Sequence, residues 1–349
     1  MGKFGVLVLL ALAVTLMLSL PGSTYTSKYS LRALAQKRGI GFGTAVWVEP
    51  LSNDSRYRTV LAQEFNMVTP ENEMKFEPTH PERDRYDFTA ADTLIDFAKT
   101  HNMQVRGHTL VWHESLPDWL TEQTWTREEL MSILEQHINT VVGHYRGQLV
   151  AWDVVNEAIA NNKNALRDTI WLRTIGPEYI EKAFRWAYAA DPQARLFYND
   201  YGGEEVGGKS EAIYGMIKDL LQQGVPIHGV GLQMHVSIKN PPNPEKVAAN
   251  IKRLNDLGLE VQITEMDVKT WDGRGTKQQR LVAQARVYRN MMQVCLEAEN
   301  CKAFSLWGVS DRYSWIPRIF KKPDAPLIFD DAGRPKPAYN ALKEVLKRR

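Results

Sequence analysis

The stretch 149–155 is an almost unbroken apolar run that stops at Asn156 and Glu157, an amide followed directly by a carboxylate. A short apolar run of this kind reads as a strand covered on both faces, the condition of a parallel sheet flanked by helices. The polar pair then falls at the strand's C-terminal end, where parallel α/β folds hold their chemistry. The stretch 259–264 repeats the design and leads into Glu265, Met266 and Asp267. Either acid alone could merely cap a helix or pair with an arginine. Two acids on two strand ends can divide proton donation and nucleophilic attack between them.

From residue 30 onward short apolar runs alternate with amphipathic ones. The pattern predicts strands at 41–46, 65–69, 104–109, 149–155, 195–198, 229–233, 259–264 and 303–306, and helices at 90–100, 127–145, 179–190, 209–223, 244–257 and 276–298. Eight strands with intervening helices, and no Gly/Ser- or Pro-rich linker, predict an α/β chain folded as a single (β/α)8 TIM barrel. A length of 349 residues is within the reach of one such domain. A doubly wound open sheet is the rival, but the chain has neither a G-x-G-x-x-G after its first strand nor a phosphate-binding P-loop.

Residues 1–23 stand apart. Lys3 gives a positive start and 4–20 is apolar except at Gly5, Thr15 and Ser19, which predicts a secretory signal peptide, or a membrane anchor if uncleaved. The catalytic unit is then 24–349, secreted or held at the cell envelope. In an oxidising compartment Cys295 and Cys301 could form a disulfide, contributing about 2–3 kcal/mol across so short a loop; otherwise they are two buried thiols. A net charge of +2 with no basic stripe argues against nucleic acid.

The predicted strand ends carry Glu71, Asn72, Lys75, His108, Trp112, Asn156, Glu157, Asn199, Gln233, His235, Glu265, Asp267, Trp307 and, beyond the last strand, Trp315. One histidine among these would ordinarily be core material; the set, repeated at six of eight ends, is harder to assign to packing. No nucleophile elbow and no HExxH appears, and His108, His113 and His235 lack the local spacing of a zinc motif, so neither metal nor cofactor is predicted. Tryptophan faces with amides and hydroxyl-binding groups suit an uncharged, hydroxyl-rich ring, and cleaving an acetal needs one protonated and one ionised carboxyl.

Six segments, 69–75, 107–113, 152–157, 231–235, 264–267 and 307–315, resemble the family 10 glycoside hydrolases, mostly endo-1,4-β-xylanases, and the resemblance spans about 30–345. It implies that Glu157 is the acid/base and Glu265 the nucleophile of a retaining hydrolysis of xylan, with the carboxyl groups roughly 5–5.5 Å apart. His235, held between Asp267 and Glu265, would keep the nucleophile ionised. Asn156 would meet the 2-hydroxyl of the sugar at the cleavage point. Lys75, His108 and Gln233 would grip that sugar, Glu71 and Asn72 the next one, and Asn199 would line the aglycone side. Trp112 offers a ring face, while Trp307 and Trp315 would exclude a hydroxymethyl group. Glu114 and Ser115 depart from the family, which usually has a small polar residue and then Gln. A cellulose- or mannan-cleaving relative, or a silent xylan-binding barrel, are the rival functions.

Overall fold

The computed structural model describes residues 27–161 and 165–348; the segment expected to direct export lies outside them. Among the described residues no helix is long and apolar enough to cross a membrane.

The described residues form nine strands: β1 (Gly41–Val46), β2 (Met67–Pro70), β3 (Gln104–Val111), β4 (Ala151–Asn156), β5 (Arg195–Asp200), β6 (Gly229–Leu232), β7 (His235–Ser237), β8 (Glu260–Lys269) and β9 (Cys301–Leu306). β1 to β6 pair in sequence, β6 pairs with β8, β8 with β9, and β9 with β1, all parallel. The ring closes as an eight-stranded barrel, and closure leaves no unpaired edge in it. β7 falls outside the predicted set. It resumes the line of β6 after a break at Gln233–Met234 and pairs with the far end of β8, setting His235 opposite Asp267.

The apolar runs are strands because both faces are covered. Every residue of β2, β4 and β6 is buried, and Trp152, Val154, Leu196, Val230 and Ile263 share one continuous core. Close packing dictates two glycines. A Cβ on Gly107 would lie 2.2 Å from the Trp152 ring, and one on Gly231 would lie 2.2 Å from the Asn199 side-chain oxygen. The outer helices start on local signals. Thr126 with Glu129, and Thr276 with Gln279, form reciprocal capping boxes, and Asn243 caps a helix with Pro244 in its first turn. Cys295 and Cys301 form a disulfide that ties the end of the helix Lys277–Glu297 to the start of β9.

The β8–β9 ladder slips once at its start, between Val261 and Gln262, and further shifts gather toward the C-terminal ends of the strands. Register shifts occur between His108 and Val111, between Asp153 and Val155, and between Ile263 and Met266. Such irregularities re-aim side chains, and these three border the polar residues gathered at the barrel's mouth.

Candidate active site

β4 delivers Asn156 and then turns sharply. Glu157 has a left-handed backbone (φ +57°), a conformation costing a non-glycine residue about 1–3 kcal/mol. Its N–H donates to the Asn199 carbonyl at 2.9 Å, and its own carbonyl accepts from Arg167 Nε at 2.9 Å, which holds the turn in place. The turn brings the Glu157 carboxylate against Gln233, whose Nε2 donates to Glu157 Oε1 at 3.0 Å and to Asn156 Oδ1 at 3.2 Å. Gln233 is positioned in turn by Met234, also left-handed (φ +66°), whose N–H donates to Glu204 at 3.1 Å.

β8 delivers the second carboxyl. Glu265 Oε1 accepts from Asn199 Nδ2 at 2.7 Å, and the same amide reaches Asn156 Oδ1 at 2.9 Å. An unbroken set of hydrogen bonds therefore links Glu157, Gln233, Asn156, Asn199 and Glu265. Glu265 Oε2 lies 3.0 Å from His235 Nε2, whose Nδ1 lies 2.9 Å from Asp267 Oδ2. Trp315 Nε1 donates to that same Asp267 oxygen at 2.8 Å.

The electrostatics follow from this geometry. Burial works against a charged His235, but Asp267 and Glu265 on either side outweigh it and raise the imidazole to about 10. It is an imidazolium at neutral pH and donates from both nitrogens. Burial likewise pushes Glu265 up; the His235 hydrogen bond and the charges of His108 and His235 overcome it and hold the carboxyl below its ordinary value.

Beneath Glu265 lies an ion-paired layer outside the predicted set. Arg106, fully buried in β3, forks both oxygens of the fully buried Asp153 and donates through Nε to Gln262 at 2.9 Å. His108 Nδ1 lies 2.9 Å from Asp153 Oδ2 and 3.9 Å from Glu265 Oε1. The signal for this layer was a charged residue inside each apolar strand, Asp153 in β4 and Arg106 in β3. His108, Asp153 and Glu265 are close enough to hold a cation, but Arg106 already balances Asp153 and His235 balances Glu265. The donor set reads as an ion-pair network, and no metal is assigned to it.

Lys75 Nζ donates to Asn72 Oδ1 at 2.9 Å and lies 5.1 Å from the Trp112 ring centre, beside the buried Glu71. Burial drives Glu71 up to about 7, against the pull of Lys75. Trp307 stands edge-on to His108 and His235, and Trp315 to His235, so two indoles wall the cluster. Asn199, expected on the aglycone side, is fully buried and donates to both Asn156 Oδ1 and Glu265 Oε1. His108 and Gln233, expected to grip sugar, have one ring nitrogen on Asp153 and the amide nitrogen on Glu157 respectively. At the departure from the family pattern, Ser115 takes a left-handed turn and its carbonyl accepts from Glu77, while the Glu114 side chain faces solvent.

A closed parallel barrel whose strand ends present two such carboxyl groups is the architecture of a glycoside hydrolase. The sequence profile of glycosyl hydrolase family 10 matches residues 30–345, and the chain belongs to that family. It is 47% identical over 321 residues to endo-1,4-beta-xylanase B of Thermotoga neapolitana, covering 91% of each chain. It is 42% identical to a beta-1,4-xylanase of Dictyoglomus thermophilum, covering 82% of this chain and 84% of that one. Among solved structures, xylanase 10B from Thermotoga petrophila RKU-1 in complex with xylobiose superposes with a TM-score of 0.88 at 47% identity, covering 91% of this chain and 97% of that one.

Proposed function

We propose that the protein is an endo-1,4-β-xylanase that cuts internal β-1,4-xylosidic bonds with retention of configuration, and that it is exported to act on polymer outside the cell. The observation that carries the mechanism is the unequal setting of two carboxyl groups in one hydrogen-bonded cluster, Glu265 against an imidazolium and Glu157 against the Gln233 amide.

In the first step a Glu265 oxygen bonds to the anomeric carbon as the bond to the leaving oxygen breaks, and Glu157 gives that oxygen its proton. The product is a glycosyl ester on Glu265, now uncharged, facing an ionised Glu157. Glu157 then takes a proton from water, whose oxygen attacks the same carbon and expels Glu265. Both carboxyl groups return to their starting states. Asn156 and its neighbours orient the sugar at the cleavage point, and Lys75, Asn72 and Glu71 hold the next one. Trp112 supplies a ring face. Trp307 and Trp315 leave no room for a hydroxymethyl group, which favours xylose over glucose.

Glu265→Ala should abolish release of reducing ends from xylan while leaving binding to insoluble xylan intact. A wild-type protein that binds xylan without cutting it would refute the enzyme reading. Initial rates on xylan, carboxymethylcellulose and mannan test the preference, which fails if either of the latter two is cleaved faster than xylan.

A further inference from the structure

Outward from the site, the aromatic wall continues past the residues used above. Trp315 packs against Phe320 with ring centres 6.0 Å apart, and Phe320 against Trp271 at 6.3 Å. Trp271 stands in the loop after β8, and Phe320 closes the short helix Trp315–Phe320, so two loops at the barrel's mouth build one surface. Phe320 and Ile319 are exposed by 40% and 59%. Nothing in the core requires these rings.

Their faces are not bare. Lys322 Nζ lies 4.0 Å from the Trp271 ring centre, and Lys269 Nζ lies 5.2 Å from that of Phe320. Arg318 lies over Trp47 and Lys321 follows on the same turn. Among the described residues none of these four cations has a carboxylate within 4.0 Å. Two acids stand near them in sequence, Asp272 beside Trp271 and Asp324, whose oxygens accept from Thr270 and the Ala325 N–H. The surface therefore carries surplus positive charge backed by aromatic rings. A neutral sugar would have to displace the ammonium groups to stack, and its hydroxyls would take only ion–dipole hydrogen bonds from them. An anionic sugar gains both ways: its carboxylate meets the ammoniums, and its ring edge meets the indole and phenyl.

On the reading that the main chain held in the cleft is xylan, we propose that Trp271, Phe320, Lys269 and Lys322 form an accessory subsite for a uronic-acid side group of that chain. Continuity through Trp315 places the subsite one aromatic contact beyond the wall of the cleavage point, within reach of a branch from a bound backbone. It selects among xylans by their decoration and takes no part in the bond cleavage.

The test compares the wild type with Lys322→Gln combined with Lys269→Gln on three substrates: linear xylohexaose, glucuronoxylan, and the same glucuronoxylan with its carboxyl groups reduced to alcohols. The double variant should raise KM for glucuronoxylan about three- to tenfold, the scale of one or two exposed ion pairs, with kcat unchanged. Rates on xylohexaose and on the reduced polymer should not move. Trp271→Ala, confirmed folded by its thermal melt, should raise KM for glucuronoxylan in the same way. An equal change on all three substrates, or none on glucuronoxylan, would overturn the uronate assignment. Absence of wild-type activity on xylohexaose would instead refute the xylanase reading beneath it.

Discussion

His235 is the side chain on which the ionisation of the site turns. It joins Glu265 to Asp267 through two hydrogen bonds of 3.0 and 2.9 Å. Replacing it with Asn leaves Glu265 buried without its cation, and burial then raises that carboxyl. The acid limb of the pH–rate profile should move to higher pH, and kcat should fall roughly 10²–10³-fold, the usual consequence of losing one donor to a reacting group. The same ion pairs stabilise the fold over a definable window. The part owed to Glu265, whose folded value is depressed, is present above its unfolded value of about 4.5 and lost as pH falls below it. The part owed to His235 is full below about 6.5 and lost as pH rises through about 10. Glu157 makes a second, backbone-level prediction. Because it sits at φ +57°, both Glu157→Ala and Glu157→Gly should be inactive on xylan, yet the glycine variant should be the more stable by about 1–2 kcal/mol in urea titration. Equal stabilities would mean that the turn stores no strain. At this scale the sequence discloses the acids and the His235–Asp267 support of Glu265, but not the buried groups behind them. Glu157 and Glu265 follow apolar strands and stand out, whereas Asp153, Arg106 and Glu204 matter through partners 47 or 30 residues away.

The regular elements are legible where burial imposes a period. Helix Tyr179–Ala190 and strand Gly41–Val46 match the predicted bounds, and β8 runs five residues beyond its predicted end because β7 extends the ladder there. Helix Ser55–Glu64 lies outside the predicted set, having only Tyr57 and 60–62 turned inward. Helix Pro337–Lys347 also lies outside it, although Ala338, Tyr339, Leu342, Val345 and Leu346 are buried at helical spacing. Helix Arg127–His144 carries the prediction proper to this scale. Its His137 is completely buried, stacked 3.7 Å from the Phe76 ring centre. Burial holds the imidazole well below its ordinary value, so the folded state contains it neutral. A depressed histidine supports the fold above its unfolded value of about 6.5 and withdraws that support as pH falls. Melting temperature should therefore decline between pH 6.5 and 4.5 less steeply in His137→Phe than in the wild type. Parallel curves would exclude His137 as a source of acid lability.

At the scale of the molecule, barrel closure does what no single strand can. Pairing of β9 with β1 and of β6 with β8 sets residues from β2, β3, β4, β5, β6 and β8 around one mouth, though Asn72 and Glu265 are separated by most of the chain. Strand count and alternation made that architecture readable, since eight buried runs with helices between them have few other solutions. Which strand-end groups face substrate and which face each other was not readable. That depends on the register shifts at His108, Asp153 and Ile263, which arise from packing between strands. Retention requires Glu265 to attack one face of the sugar while Glu157 delivers first a proton and then water to the other. Proton NMR during the first minutes of hydrolysis of a linear xylo-oligosaccharide tests this directly. The β-anomer should appear first and the α-anomer only later, by mutarotation; an α-anomer formed first would contradict the double displacement.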